Sequence, residues 1–174
     1  MILDQLRMKM QQYRIEIISE KNIDDVLALF QTNVYFFSRT QEHSVTRTEC
    51  ISDITDLPSG MDIKSKTYIA LYQEGKCIAI IDLIEGYPND KTIFLGLFIL
   101  DASTQGRGVG KNILNDIMEV SKKMGFEKME LGCHETNEKG FEFWSKMRFH
   151  EVRRTVREMD GKEYIIISMQ HKLY

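Results

Sequence analysis

The chain has 174 residues, 43% of them hydrophobic, with a formal net charge of -3, the size and apolar content expected of one soluble domain with one core. This charge balance gives no electrostatic reason to expect nucleic acid or an anionic membrane as partner, and no apolar run approaches the ~18 residues that span a bilayer. Cys50, Cys77 and Cys133 are odd in number, far apart and never in a CxxC pair, which argues against a disulfide framework or a structural metal and fits a reducing cytoplasm.

Residues 1–9 are broken by charges and lack the continuous apolar stretch of a signal peptide. Ile2, Leu3, Leu6 and Met10 could form an extra helix within residues 1–12 or a homodimer contact. Residues 13–18 read as a short strand. Asn22 stands where an N-cap would, ahead of Ile23, Val26, Leu27 and Phe30 at helical spacing. Thr46-Arg47-Thr48-Glu49 has the form of a capping box, opening a helix with the stripe Cys50, Ile51, Ile54 and Leu57 that Pro58 and Gly60 end. The intervening NVYFFSRTQEH is expected to be a loop, and its adjacent Tyr35, Phe36 and Phe37 cannot all face one side.

Strands are predicted at 67–72 and 77–85, joined by a Glu74-Gly75 turn, and at 92–100. The last is apolar on both faces, with Phe94, Phe98 and Leu100 on one and Ile93, Leu95, Leu97 and Ile99 on the other, as in the middle of a covered sheet. Gly96 inside it signals a bulge or the close approach of another molecule. A helix then carries Val109, Ile113, Leu114, Ile117, Val120 and Met124 up to Gly125. Residues 128–134 alternate as a strand, 138–147 form a short helix, and 152–159 and 163–170 pair across Asp160-Gly161, a type I′ signature. No repeat or linker divides the chain, so residues 1–174 are expected to form one domain around a mixed α/β sheet.

Between strand and helix lies TQGRGVGKN, residues 104–112. Glycines at 106, 108 and 110 let the main chain bend into a nest of N–H donors at a helix N-terminus, where an anion is favoured. A Walker loop needs four residues between its glycines and a hydroxyl after the lysine; here three separate Gly106 from Gly110, and Asn112 follows Lys111. The dinucleotide pattern needs a glycine where Lys111 stands, and too little chain follows for its further βα units.

The stretch LFILDASTQGRGVGKNIL resembles the acetyl-CoA signature of the GNAT superfamily of N-acetyltransferases, with Gln105, Gly108 and Gly110 at the positions of Gln/Arg-x-x-Gly-x-Gly/Ala. The resemblance extends to NEKGFEFWSKMRF, which is similar to the family's Asn-x-x-Ala…Phe-Tyr-x-Lys-x-Gly-Phe segment, and the order of elements is also the family's. It implies a mostly antiparallel sheet of about seven strands flanked by about four helices and splayed between the fourth and fifth strands. It also implies transfer of an acetyl group from acetyl-CoA to a primary amine of a small molecule or peptide, without a metal.

The resemblance places Phe98, Ile99 and Leu100 along the pantetheine arm, with one N–H polarising the thioester carbonyl. The diphosphate falls to the amides of Gln105, Gly106, Arg107, Gly108, Val109 and Gly110, with Lys111 nearby and Asn137 and Trp144 beside the coenzyme. Direct transfer needs a base for an amine that titrates near ~10; Asp82 and Glu85 are the best-placed acids, three apart and hence on opposite faces, and His134 is a candidate relay. Trp144 occupies the position of the usual thiolate-protonating tyrosine, leaving the general acid unassigned, and Arg148 replaces the usual glycine. The alternative is a coenzyme-binding module of the same fold that has lost catalysis.

Overall fold

The computed structural model describes residues 1–174. Helix α1 (Ile2–Lys9) precedes strand β1 (Arg14–Ile17), and three short helices follow, α2 (Ile23–Thr32), α3 (Val34–Thr40) and α4 (Arg47–Asp53). Strands β2 (Lys66–Gln73), β3 (Lys76–Glu85) and β4 (Thr92–Leu100) form a meander, succeeded by α5 (Val109–Lys123), β5 (Lys128–His134), α6 (Glu138–Lys146), β6 (His150–Met159) and β7 (Lys162–Lys172). The seven strands make one sheet in the order β1-β2-β3-β4-β5-β7-β6, antiparallel throughout except where β4 meets β5. No helix is long and apolar enough to cross a membrane.

Six α-helices flank the sheet, where about four were expected. One extra helix is α1, whose Ile2, Leu6 and Met10 are fully buried against α5 and the sheet. Their burial in the chain's own core removes the residues on which a homodimer contact was expected. The other is α3, which replaces the expected loop: seven residues are too few to display a helical period. Helical rotation of about 100° per residue then fans out its aromatics. Phe37 packs on Phe30 with ring centroids 5.2 Å apart, while Tyr35 and Phe36 turn toward the clefts described below. The capping box at Thr46 and Glu49 forms as expected, but α4 stops at Asp53, and Leu57 and Pro58 line a cavity instead of continuing a stripe.

The sheet has a core on each face, one against α1, α5 and α6 and the other against α2 and α4. Strand β4 enters both, but not in the expected simple alternation. The register with β3 pairs Leu97 with Asp82 and Leu95 with Leu83, skipping Gly96, which is the extra residue of a β-bulge. The bulge reverses the phase: Ile93, Leu95, Phe98 and Leu100 face the α5 side, and Leu97 and Ile99 face the α2 side. Glycine is required there by contact, since a Cβ at position 96 would lie 2.8 Å from Asp82 Oδ2.

Pairing between β4 and β5 ends at Leu95 and Leu131. Beyond that rung β5 continues beside β7 only, so the second half of β4, Gly96 to Leu100, has an open flank. This is the splay expected between the fourth and fifth strands. At the other edge the β6–β7 hairpin turns on Asp160 (φ 52°) and Gly161 (φ 75°), the left-handed pair that a type I′ turn requires.

Candidate active site

The glycine loop enters α5 through Gly106 (φ 77°) and Gly108 (φ 79°), both in a conformation that disfavours a side chain. Gly108 is the N-cap and offers no side-chain cap. The first bond of the helix is Asn112 N–H to the Gly108 carbonyl, and no N–H from Gly106 to Lys111 donates to the chain. A row of free donors therefore converges at the positive end of a 15-residue helix, an arrangement suited to a phosphate. Arg107 and Lys111 are exposed beside it and make no ion pair.

Gln105 does a different job from its neighbours. Its Nε2 donates to Asn33 Oδ1 at 2.8 Å and to the Leu100 carbonyl at 3.1 Å. Asn33, 7% exposed at the end of α2, donates to the same carbonyl at 2.9 Å. Together they tie the loop to the end of β4. Asn33 is a residue that sequence reasoning missed; a lone asparagine between two helices carries no motif.

The gap beside β4 exposes main chain. Residues of an antiparallel pair alternate between bonding the partner strand and turning outward. Asp101 N–H donates to Ile78. Given the register of Leu100 with Ala79 and Ile99 with Ile80, the main chain of Ile99 is committed to β3, and that of Phe98 and Leu100 faces the gap. The Leu100 carbonyl is already taken by Asn33 and Gln105, which leaves both groups of Phe98 and the Leu100 N–H. Of the three residues expected to face the pantetheine arm, Ile99 thus contributes no free main-chain group.

A cleft of about 680 Å3 runs from the donor row past Leu100 and Phe98 to Asn137 and Trp144. Asn137 caps α6, its Oδ1 accepting from Gly140 N–H at 3.0 Å. Trp144 is almost fully buried against Phe98, Phe143 and Phe149, with ring centroids 6.0, 4.9 and 5.5 Å away. On the far side of the gap lies a second cavity of about 670 Å3, and Phe36, Phe98, Asn137 and Trp144 line both. These four side chains stand where the two spaces adjoin.

Asp82 stands in the wall of the second cavity. Lys66 Nζ donates to its Oδ2 at 2.6 Å, with side chains 3% and 13% exposed, while Oδ1 is buried and has no partner. Burial raises the Asp82 carboxyl above the ordinary carboxylate range, and the Lys66 ammonium only partly opposes that. The result is a carboxylate of raised basicity in the cavity wall, one of whose oxygens is buried without a hydrogen-bond partner. Glu85 follows Asp82 by three residues, on the opposite face of β3, and lines neither cavity.

His134 lines the second cavity against Tyr164, and burial, with Arg157 nearby, lowers its pKa, so the imidazole is neutral near pH 7. Cys133 also reaches this cavity, but burial pushes its thiol up to about 11. A thiol so rarely ionised is a poor nucleophile, which disfavours an acyl-cysteine route.

Asp53 shares a small recess of about 130 Å3 with Asp56, Lys66, Tyr68 and Asp82. Burial first, and then the charge of Asp56, raise its carboxyl to about 6. A raised carboxyl favours the fold while it is protonated; that contribution is complete below the unfolded value of ~4 and is lost as pH rises through about 6. Asp53→Asn, which cannot ionise, is therefore expected to raise the melting temperature by a few degrees at about pH 8, and not at about pH 4, for a gain of roughly 1 kcal/mol after solvent screening. Equal shifts at both pH values in thermal melts would remove this account of Asp53.

The acetyltransferase (GNAT) family profile matches residues 32–149. The Saccharomyces cerevisiae protein SPT10 is 34% identical over 59 residues, which are 33% of this chain and 9% of that protein. Among solved structures, an acetyltransferase from Thermus thermophilus superposes with a TM-score of 0.72 at 16% identity, covering 92% of this chain and 97% of the other. The yncA putative acetyltransferase from Salmonella typhimurium, solved with its cofactor acetyl-CoA, gives 0.63 at 12% identity, covering 93% and 94%. The Escherichia coli ribosomal-protein-S18-alanine N-acetyltransferase gives 0.64 at 14%, covering 92% and 94%.

Proposed function

Since the chain belongs to the acetyltransferase (GNAT) family, we propose that it transfers an acetyl group from acetyl-CoA directly to the primary amine of a small molecule or peptide. The observation that carries this is the adjacency of three features: a donor row at Gly106–Lys111, a cleft along the open flank of β4, and a second cavity with Asp82 in its wall that shares four lining residues with that cleft. The amides from Gly106 to Lys111 bind the diphosphate, with Arg107 and Lys111 neutralising its charge, and Gln105 holds the loop to β4. Phe98 and Leu100 receive the pantetheine arm between β4 and β5, flanked by Asn137 and Trp144.

The amine nitrogen attacks the thioester carbon, and Phe98 N–H stabilises the charge that develops on the carbonyl oxygen. The Asp82 carboxylate accepts the amine's proton; the C–S bond breaks and the thiolate leaves. His134 relays protons from the cavity side, and Glu85, facing away, takes no part. The buried, unpaired cysteines support a reducing, cytoplasmic setting.

Trp144 cannot supply a titrating proton, because an indole N–H donates a hydrogen bond without ionising in water. A thiol with a pKa of ~8.5 is a tolerable unassisted leaving group, and water then protonates it. Trp144→Phe is accordingly expected to keep kcat within about 3-fold, since a shared aromatic body preserves the packing. Abolished turnover with coenzyme binding intact would assign the indole a chemical role.

That same tryptophan motivates the second reading, a binding module without catalysis. Thiol release measured across a panel of amines with acetyl-CoA separates the two. Turnover with any amine supports the transferase, whereas tight CoA binding without release from any of them favours the module.

A further inference from the structure

The acceptor cavity is polarised by charge. One wall carries Asp82 and Asp56; the opposite wall is strand β6, where Arg153, Thr155 and Arg157 occupy alternate positions and so share one face. The two arginines are not equivalent. Arg153 donates to the buried Glu130 at 2.7 Å, a carboxylate that also accepts from Gln170, so its charge is neutralised within the fold.

Arg157 makes no ion pair. Across the hairpin it is the register partner of Tyr164, whose ring packs on His134 of β5, and its charge adds to burial in lowering the pKa of that imidazole. The carboxylates of the surrounding segments are engaged elsewhere: Glu42 pairs with Lys162 and Glu135 with Arg154. Glu158 lies one residue along β6 and so points to the other face. A guanidinium without a counter-charge, on the wall of a cavity whose other end holds the proposed base, is a receptor for an anionic oxygen group.

We propose that the acceptor is an amine that also bears an anionic group, an amino-acid-like zwitterion, with Arg157 holding its carboxylate or other oxyanion and Asp82 receiving its amine. This rests on the acetyltransferase reading and narrows it to a substrate class. Thr155 adds a hydroxyl donor next to the anion. A simple diamine would place its second ammonium against Arg157 and be rejected.

The test uses the full chain with acetyl-CoA and thiol detection, offering a panel of amino acids, their methyl esters, matched aminophosphonates and simple diamines. Free acids or phosphonates are expected to exceed esters and diamines by about 10- to 100-fold in kcat/KM, the value of one charge-assisted contact. Arg157→Gln, at an exposed strand position, should lower the acid-to-ester ratio of kcat/KM by a similar factor. Better turnover of acids than phosphonates, or the reverse, identifies the anion. Esters used as well as acids, or an acid-to-ester ratio untouched by Arg157→Gln, would overturn the proposal while leaving the transferase standing. Absence of thiol release from every amine, with CoA still bound, would overturn both.

Discussion

Asp82→Asn is expected to lower kcat by about 100-fold or more, the usual contribution of a positioned general base, with little change in affinity for CoA. Asparagine keeps the shape and can still accept from Lys66 Nζ, but its amide cannot take the amine's proton. Because burial raises the Asp82 carboxyl, its basic form accumulates only above the ordinary carboxylate range. In the wild type, kcat/KM should therefore climb with pH through that raised value; the variant should lose this limb and retain only the rise due to the amine substrate. Melting and CoA titration of the same sample guard against a trivial cause, since removing one charge from a buried pair strains the other. A variant that melts normally, binds CoA and turns over at the wild-type rate would exclude Asp82 as the base and return attention to His134.

Gly110→Asp is expected to weaken CoA binding by about 100-fold or more while leaving the free protein as stable as before or slightly more so. The two effects have opposite signs because they have different causes. Position 110 lies in the first turn of α5, where an acidic side chain complements the helix dipole by a few tenths of a kcal/mol. A Cβ there would sit 3.6 Å from Leu100 and 3.7 Å from Phe143, ordinary contact, and φ is not positive. A carboxylate beside the donor row, however, would repel a diphosphate at short range, and a few kcal/mol of repulsion is a factor of about 100 or more. Calorimetric titration with CoA beside a thermal melt checks both signs. Unchanged affinity in a well-folded variant would mean that the row is not the phosphate site.

Much of this was visible in local sequence, for physical reasons that differ between segments. Asp160-Gly161 and the Thr46–Glu49 box are short-range codes, each satisfied by its own backbone, and both formed as read. The glycine loop was legible because positive φ and close approach restrict residue choice at Gly106 and Gly108. The bulge at Gly96 was signalled by one residue, yet its consequence was not: alternation through residues 92–100 assumed an unbroken phase, and the extra residue swapped the faces of Phe98 and Leu97.

What sequence withheld was chiefly long-range. The Lys66–Asp82 pair depends on the register of two antiparallel strands, and the Asn33–Gln105–Leu100 tie joins segments 67 and 72 residues apart. Helix α3 is stabilised by Phe37 on the core rather than by any periodic stripe, so a loop was the natural reading of its seven residues. Arg148, standing where the related segment has glycine, takes a left-handed φ of 64° at a cost of about 1 kcal/mol, a departure visible in sequence whose backbone consequence was not.

A crystal structure of the protein with acetyl-CoA tests the central claim most directly. The account predicts the diphosphate on the amides of Gly106–Lys111, the pantetheine arm along the open flank of β4, and the thioester carbonyl facing Phe98 N–H with Asp82 across the gap. Coenzyme lodged elsewhere, with that helix terminus and the β4–β5 opening both empty, would contradict it.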